Sequence, residues 1–408
     1  MGKLIIVMAT AFVDMMGLLV ILPLLPFYAA HFGARGLVVG LLVSSVAIAQ
    51  MLSALVWGRV SDRYGRRPAL LAGLGLSGVG YLVFALANSL GLLFVSQLIQ
   101  GTGGGTLGVI QAYVADATKP EDRARSLGWL SAATNLGVII GPVFGSIAIA
   151  WGRAAPGLLA AALCAANLTF AWRFLAESHD RPLVRATDVQ SETSRQTVLR
   201  VITQLNEPAS RLIWIYAIAM GASLGMTAIL SLFLAERFQV NEKTIGGVFI
   251  FIGAISVIVR AFILGWMVDR LGEARLSRLG LTLLAAGLAT MALAQSYLPL
   301  VLAITLIPLG TAFTFPCVTA LLSRLISRQE RGLYMGVQQT LGGMALVLGP
   351  IWAGFSYDHL GRGVPFWTSS VLVLITILIG LGIGSPRQRS CDSPSAADQH
   401  PTTKYAGS

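Results

Sequence analysis

Long unbroken apolar runs dominate the chain. Amphipathic stripes do not. A helix crosses about 30 Å of hydrocarbon with roughly 20 apolar residues. That length picks out twelve runs: 4–30, 37–60, 68–88, 91–115, 124–150 and 155–176 in the first half, and 212–235, 244–268, 276–295, 298–323, 333–355 and 364–384 in the second. The polar interruptions are short except at two places. The stretch 177–210 reads as a linker, and 385–408, rich in Ser, Pro, Asp, Gln and Thr, reads as a disordered tail. The pattern predicts an all-α polytopic membrane protein with an N-terminal six-helix bundle (1–176) and a C-terminal one (211–384). The first run is too long for a signal peptide and carries Asp14 inside it, so it is expected to be retained as a span.

Composition agrees with the runs. Hydrophobic residues make up 55% of the 408 positions and charged residues only 12%, against about 25% charged in soluble domains. The 45 glycines fit helices that pack closely in lipid. Cys164 and Cys317 fall in apolar runs and Cys391 in the tail, so neither a disulfide framework nor a metal spacing is present.

The net charge of +11 takes its meaning from where the charges sit. Of 29 Lys and Arg, 23 lie in the two termini and the loops after even-numbered spans. Five lie on the other side (Arg35, Arg153, Arg237, Lys243 and Arg362), and Arg260 lies within span 8. The positive-inside rule then places both termini in the cytoplasm. The basic excess is a topology signal, and no basic helix or aromatic-interleaved motif points to nucleic acid.

The two halves repeat each other. Gly58-Arg-Val-Ser-Asp62-Arg63-Tyr-Gly65 returns 207 residues later as Gly265-Trp-Met-Val-Asp269-Arg270-Leu-Gly272. Glu121-Asp122-Arg123 with Gly128 returns 208 residues later as Gln329-Glu330-Arg331 with Gly336, and Gly141-Pro142 returns as Gly349-Pro350. Agreement to within one residue in the offset predicts two pseudo-symmetric bundles in the same orientation, a parallel repeat.

On these residues the chain resembles the major facilitator superfamily. The segment Gly58 to Pro68 is similar to that family's signature loop. Gly137-x-x-x-Gly141-Pro142-x-x-Gly145 in span 5 resembles the motif of its drug:proton antiporters, and Asp14 with Gly17 and Pro23-Leu-Leu-Pro26 resembles their first helix. The resemblance implies the major facilitator fold, alternating access to a midplane site, and export of a small amphipathic compound in exchange for protons. It departs at three places. Gln97 stands where many such antiporters carry an arginine, and spans 3 and 9 lack the acidic residues of tetracycline exporters, with Gly80 and Ala285 at the corresponding positions. A substrate other than tetracycline is therefore expected.

The chemistry follows from residue type and depth. Asp14 and Arg260 are the ionisable groups well inside spans, and an intramembrane charge costs at least about 2.5–3.5 kcal/mol unless it is hydrated or paired. Asp14 is the candidate proton carrier. Arg260 is expected either to pair with it or to attract an anionic substrate group. Gln97, Gln100 and Gln111 fall on one face of an ideal helix and predict a hydrogen-bonding stripe toward a substrate cavity. Asn135 and Gln338 are candidates of the same kind, with Gln50, Asn167 and Gln339 weaker. In the signature loop, Gly58 and Gly65 are expected to allow close approach and a tight turn. Asp62 is expected to face a helix N-terminus, and Arg63, Arg66 and Arg67 to pair with Asp116, Glu121 or Asp122. Gly137, Gly141 and Gly145 make a groove on span 5, with Pro142 bending the helix. That groove is expected either to seal the two halves together or simply to pack a neighbouring helix.

No Walker A loop or His-Glu-x-x-His motif occurs, and the four histidines lie outside the spans, so no catalysis, cofactor or metal is expected. The expected partners are a small-molecule substrate, protons and the bilayer of the cell's plasma (inner) membrane, with the chain acting as a monomer. A sugar or metabolite facilitator or symporter, and a non-transporting assembly or sensing factor, remain alternatives on the same fold.

Overall fold

The computed structural model describes residues 2–119, 122–177, 200, 201, 203, 204, 206–327 and 330–380. Glu121, Gln329, most of the expected linker and the tail 385–408 lie outside the described residues. Every regular element among the described residues is helical. The first half contains α1 (Gly2–Ile21, resuming as Leu25–His31), α2 (Gly36–Tyr64), α3 (Arg66–Ala85), α4 (Leu90–Gly104, resuming as Leu107–Asp116), α5 (Arg123–Ala148) and α6 (Ala155–Phe174). The second contains α7 (Pro208–Phe238), α8 (Ile245–Ile258, a π turn Val259–Ile263, then Leu264–Leu271), α9 (Glu273–Leu293), α10 (Tyr297–Leu325), α11 (Arg331–His359) and α12 (Val364–Ile379). Each of the twelve apolar runs is one of these helices. Lipid supplies no hydrogen bonds, so each span must satisfy its backbone internally, and helices do that.

Local chemistry sets where the helices end. Ser89 opens α4 by accepting a hydrogen bond from the Leu92 amide at 3.3 Å, and the Asn241 carboxamide accepts from the Lys243 and Thr244 amides ahead of α8. Pro23, which has no N–H, sits in the turn that divides α1. The expected loop at 58–68 is instead a helix–helix junction. α2 continues to Tyr64, and Gly65 alone reverses the path at φ +106°, a conformation that costs a side chain dearly. Gly272 at φ +75° does the same between α8 and α9. α7 starts at Pro208, inside the stretch assigned to the linker.

The span-5 groove is filled by α1 of its own half and does not seal one half against the other. A β-carbon at Gly141 would lie 2.7 Å from both Leu19 Cβ and Met16 O, and one at Gly137 would lie 2.9 Å from Met16 N. At Gly145 it would collide with Val20 O. The second half repeats this packing, with Gly349 of α11 against Gly221 of α7. In lipid, apolar burial does not drive helices together, so such close approach supplies the dispersion that holds each pair. The outward faces stay apolar, with Phe262 and Leu298 among the large exposed side chains.

Contacts between the halves are concentrated at the end opposite the basic junctions. α2 packs on α11, α5 on α8, and the Leu25–His31 part of α1 on α7. α2 and α11 run antiparallel and remain close from Gly36–Gly354 to Met51–Gly343. Beyond that point Leu52, Leu55 and Val56 of α2 are exposed, and the basic ends stand apart. The protein is closed at one end and open at the other.

Gly141→Val is expected to destabilise the protein by about 1–3 kcal/mol, the usual cost of overpacking. Gly108→Ala should be neutral within about 0.5 kcal/mol, because a β-carbon there would meet nothing within 4 Å. Thermal unfolding in detergent, followed by tryptophan fluorescence, checks the difference.

Candidate functional site: the transport cleft and its two gates

At the closed end the seal is largely backbone against backbone. A β-carbon at Gly40 would collide with Pro350 O, and one at Gly354 with Gly36 O. Ser44 donates to Val347 O at 2.7 Å and Ser231 to Pro23 O at 2.9 Å, both across the halves. The Gly246 amide of α8 donates to Ser146 Oγ of α5 at 2.9 Å. A carboxylate completes the seal. Asp358, in the last turn of α11, accepts from the Gly36 and Leu37 amides with both oxygens at 2.8 Å. Those amides open α2 and have no partner inside that helix, and the helix dipole makes this end positive. Sequence reasoning missed Asp358. Its only local signal was an acidic residue at the end of a span, and its partner lies 322 positions away in the chain.

At the open end, two cations begin α3, which is unfavourable at a helix N-terminus. Carboxylates compensate. Arg66 donates to Asp116 at 3.1 Å, to Asp62 at 2.6 Å and to Ser61 at 2.9 Å. Glu177, read only as part of the linker, accepts from the Arg66 and Arg67 amides at 2.9 and 3.1 Å. Arg67 donates to Trp172 O. Several expectations for this junction change. Among the described residues, Arg63 lies over the Tyr64 ring with no carboxylate partner, and no ion pair involves Asp122. Gly58 and Gly265 face open space, because the parted halves leave nothing for them to approach. Asp62 meets no helix N-terminus of the other half; its side chain is 68% exposed.

The second junction repeats the first with its charges reversed. Glu273 begins α9 where Arg66 begins α3, and it pairs with Arg324 at 2.7 Å where Arg66 pairs with Asp116. Arg270 stacks on Trp266 at 4.2 Å, and Asp269 makes no ion pair among the described residues.

Within the spans, Asp14 of α1 is half-buried and has no ion pair or hydrogen bond among the described residues. Its electrostatic neighbours are Tyr81 of α3 and Cys164 of α6, and the Tyr81 ring lies against Gly17. Arg260 does not pair with it: no salt bridge among the described residues involves either. The expected glutamine stripe does not form. α4 breaks between Gly104 and Leu107, so counting 100° per residue fails across the break. Gln97 and Gln100 are buried inside the first bundle, whereas Gln111 is exposed. Gln97 donates to Ser96 Oγ at 3.3 Å, and Gln100 Nε2 is buried beside Tyr81 without a hydrogen bond of good geometry. Gln338 donates to Thr319 Oγ1 at 3.1 Å and so ties α11 to α10; Asn167 donates to Thr10 O and ties α6 to α1. Gln50 similarly reaches Gly104 O, while Asn135 is half-buried and Gln339 exposed.

Two six-helix bundles, sealed at one end and parted at the other around a cleft, define a membrane carrier. The chain belongs to the major facilitator superfamily, whose family profile matches residues 7–276 and 255–405. It is 26% identical over 381 residues to Multidrug resistance protein 2 of Bacillus subtilis (strain 168), covering 93% of both chains. It is 30% identical over 354 residues to the class G Tetracycline resistance protein of Vibrio anguillarum, covering 83% of this chain and 86% of that one. Among solved structures, the human organic anion transporter MFSD10 (TETRAN) is similar with a TM-score of 0.69 and 23% identity, covering 93% of this chain and 99% of that one. The peptide transporter POT in complex with sulfate reaches 0.75 at 19% identity, covering 95% and 94%. The protein is a multi-pass membrane transporter and not an enzyme.

Asp358→Asn is expected to weaken the closed end by about 1–2 kcal/mol, the scale of a charge-assisted helix cap, moving the two-state ratio roughly tenfold toward opening there. Spin labels at Asn88→Cys and Ser296→Cys, with Cys391 replaced, report the opening as a longer inter-label distance. An unchanged distance distribution would remove Asp358 from the gate.

Proposed function

We propose that this transporter exports a small amphipathic organic compound in exchange for protons, with Asp14 as the proton carrier. One observation carries the reading. Asp14 is the only carboxylate deep within a span among the described residues, and it has no counter-ion there, so the neutral form is the inexpensive one whenever its surroundings are dry. Relatives named for multidrug and tetracycline resistance, matched over most of their length, support the export direction. Tetracycline itself is not the expected substrate. Gly80 lies against the Gln100 backbone, with no room for a side chain, and Ala285 is buried, so neither position presents an acid.

In this reading both termini are cytoplasmic, the protein lies as a monomer in the plasma membrane, and the open end faces the cytoplasm. The bundles 1–176 and 211–384 rock about the linker 177–210. Each end of the antiparallel α2–α11 pair carries an aspartate on the helix that finishes there. Asp358 holds the outer end in the present state, and Asp62 faces the start of α11 when the inner end closes. Each contact exists in one state only, so each biases the equilibrium, as conformational coupling requires.

Asp14→Asn is expected to abolish pH-gradient-driven uptake into inverted vesicles while membrane insertion, checked by immunoblot, is retained. Pumping that survives the substitution excludes Asp14 from coupling. Asp62→Asn should slow turnover about tenfold, corresponding to about 1.4 kcal/mol, and leave substrate Kd within twofold. Equal turnover would reduce the junction to a topology signal.

A further inference from the structure

Arg260 occupies an unusual setting. It lies on the π turn Val259–Ile263, a geometry that inserts one extra residue per turn and is common at functional sites. Its Nε is fully buried with no hydrogen-bond partner, and no salt bridge involves Arg260 among the described residues. Its electrostatic neighbour is the Tyr216 phenol of α7. α8 packs on α5 of the first half and on α10 of its own, and α7 packs on α10 as well, so Arg260 and Tyr216 lie near each other within the second bundle.

Aromatic groups complete the surroundings. Tyr216 meets Phe315 of α10 edge to face, with ring centroids 5.3 Å apart, and its other edge lies against Gly342 of α11. At 1.5 Å per residue, these four positions lie about 12–16 Å inside the basic ends of α7, α8, α10 and α11, in one layer. One turn nearer the opening, Thr319 and Gln338 bridge α10 and α11. The layer therefore offers a guanidinium without a counter-ion, a hydroxyl and an aromatic wall, each of the three residues half-buried. A guanidinium fork matches a carboxylate with two parallel hydrogen bonds.

We propose that Arg260, Tyr216 and Phe315 form a binding site for an organic anion, in which the carboxylate of an aromatic acid takes Arg260 and its ring packs on Phe315. The proposal rests on the export reading only in taking the cleft as the substrate path. The counter-ion that Arg260 lacks is carried in by the substrate. This explains how a lone cation is kept in the spans, and it makes the site selective against neutral isosteres, which leave Arg260 unpaired.

The test uses the full-length protein in lipid nanodiscs, with 2-naphthoate and 2-naphthamide as matched probes and calorimetry as the readout. Naphthoate is expected to bind at least about tenfold more tightly than the amide. Arg260→Gln should erase that preference, and Arg260→Lys should keep part of it. A preference that survives in Arg260→Gln, or wild-type protein that binds the acid no better than the amide, overturns the site. The wild-type comparison decides alone if the glutamine variant fails to insert. Gradient-driven flux in vesicles is scored separately. Pumping of ethidium without any acid preference keeps the export reading and sinks the anion site, whereas an Arg260-dependent preference without pumping does the reverse.

Discussion

The architecture depends on how closely α2 and α11 approach at one end. Gly36, Gly40 and Gly354 let two backbones touch where any side chain would separate them, and the Asp358 carboxylate then reaches the free amides that begin α2. Such a contact is strong when made and cannot be stretched, because charge-assisted hydrogen bonds and dispersion both fall away within about an ångström. Packed interfaces of this kind are bistable and not elastic. One closed end and one parted end are therefore one rigid-body arrangement of two bundles.

Lipid explains the rest of the charge distribution. Around the apolar outer surface a charge has nowhere inexpensive to sit, so ion pairs and caps gather at helix ends. The two junctions show how little the sign matters there. Arg66 with Asp116 and Glu273 with Arg324 occupy matching positions with opposite polarity. What the repeat preserved is a pinned start to α3 and α9. Glu273 also suits the helix dipole, whereas Arg66 and Arg67 need Glu177 to offset it. The two deep charges are the exceptions: Asp14 lies near Tyr81 and Cys164 of the first bundle, and Arg260 near Tyr216 of the second.

Much of the fold was legible along the chain. The twelve spans, the repeat, the junction motif, and Asp14 and Arg260 as deep charges could all be read from local composition. The site was less legible, and each miss has a physical cause. Gln111 left the stripe of Gln97 and Gln100 because α4 breaks at Gly105, and an ideal helical wheel assumes no break. The Gly137–Gly145 groove was compatible with a partner in either half, and packing placed α1 there. Asp358 and Glu177 act on amides distant in the chain, so nothing near them in sequence announced the contact.

The sequence by itself determined what must lie in lipid, how often the chain crosses it and that its halves are copies, because transfer of each segment from water depends on that segment's own side chains. Only the tertiary structure decided which helices touch, which carboxylate caps which helix, and that Arg260 has Tyr216 of its own bundle as a neighbour and not Asp14. Those outcomes depend on crossing geometry and on the conformational state, and both are properties of two bundles together and not of any single run of residues.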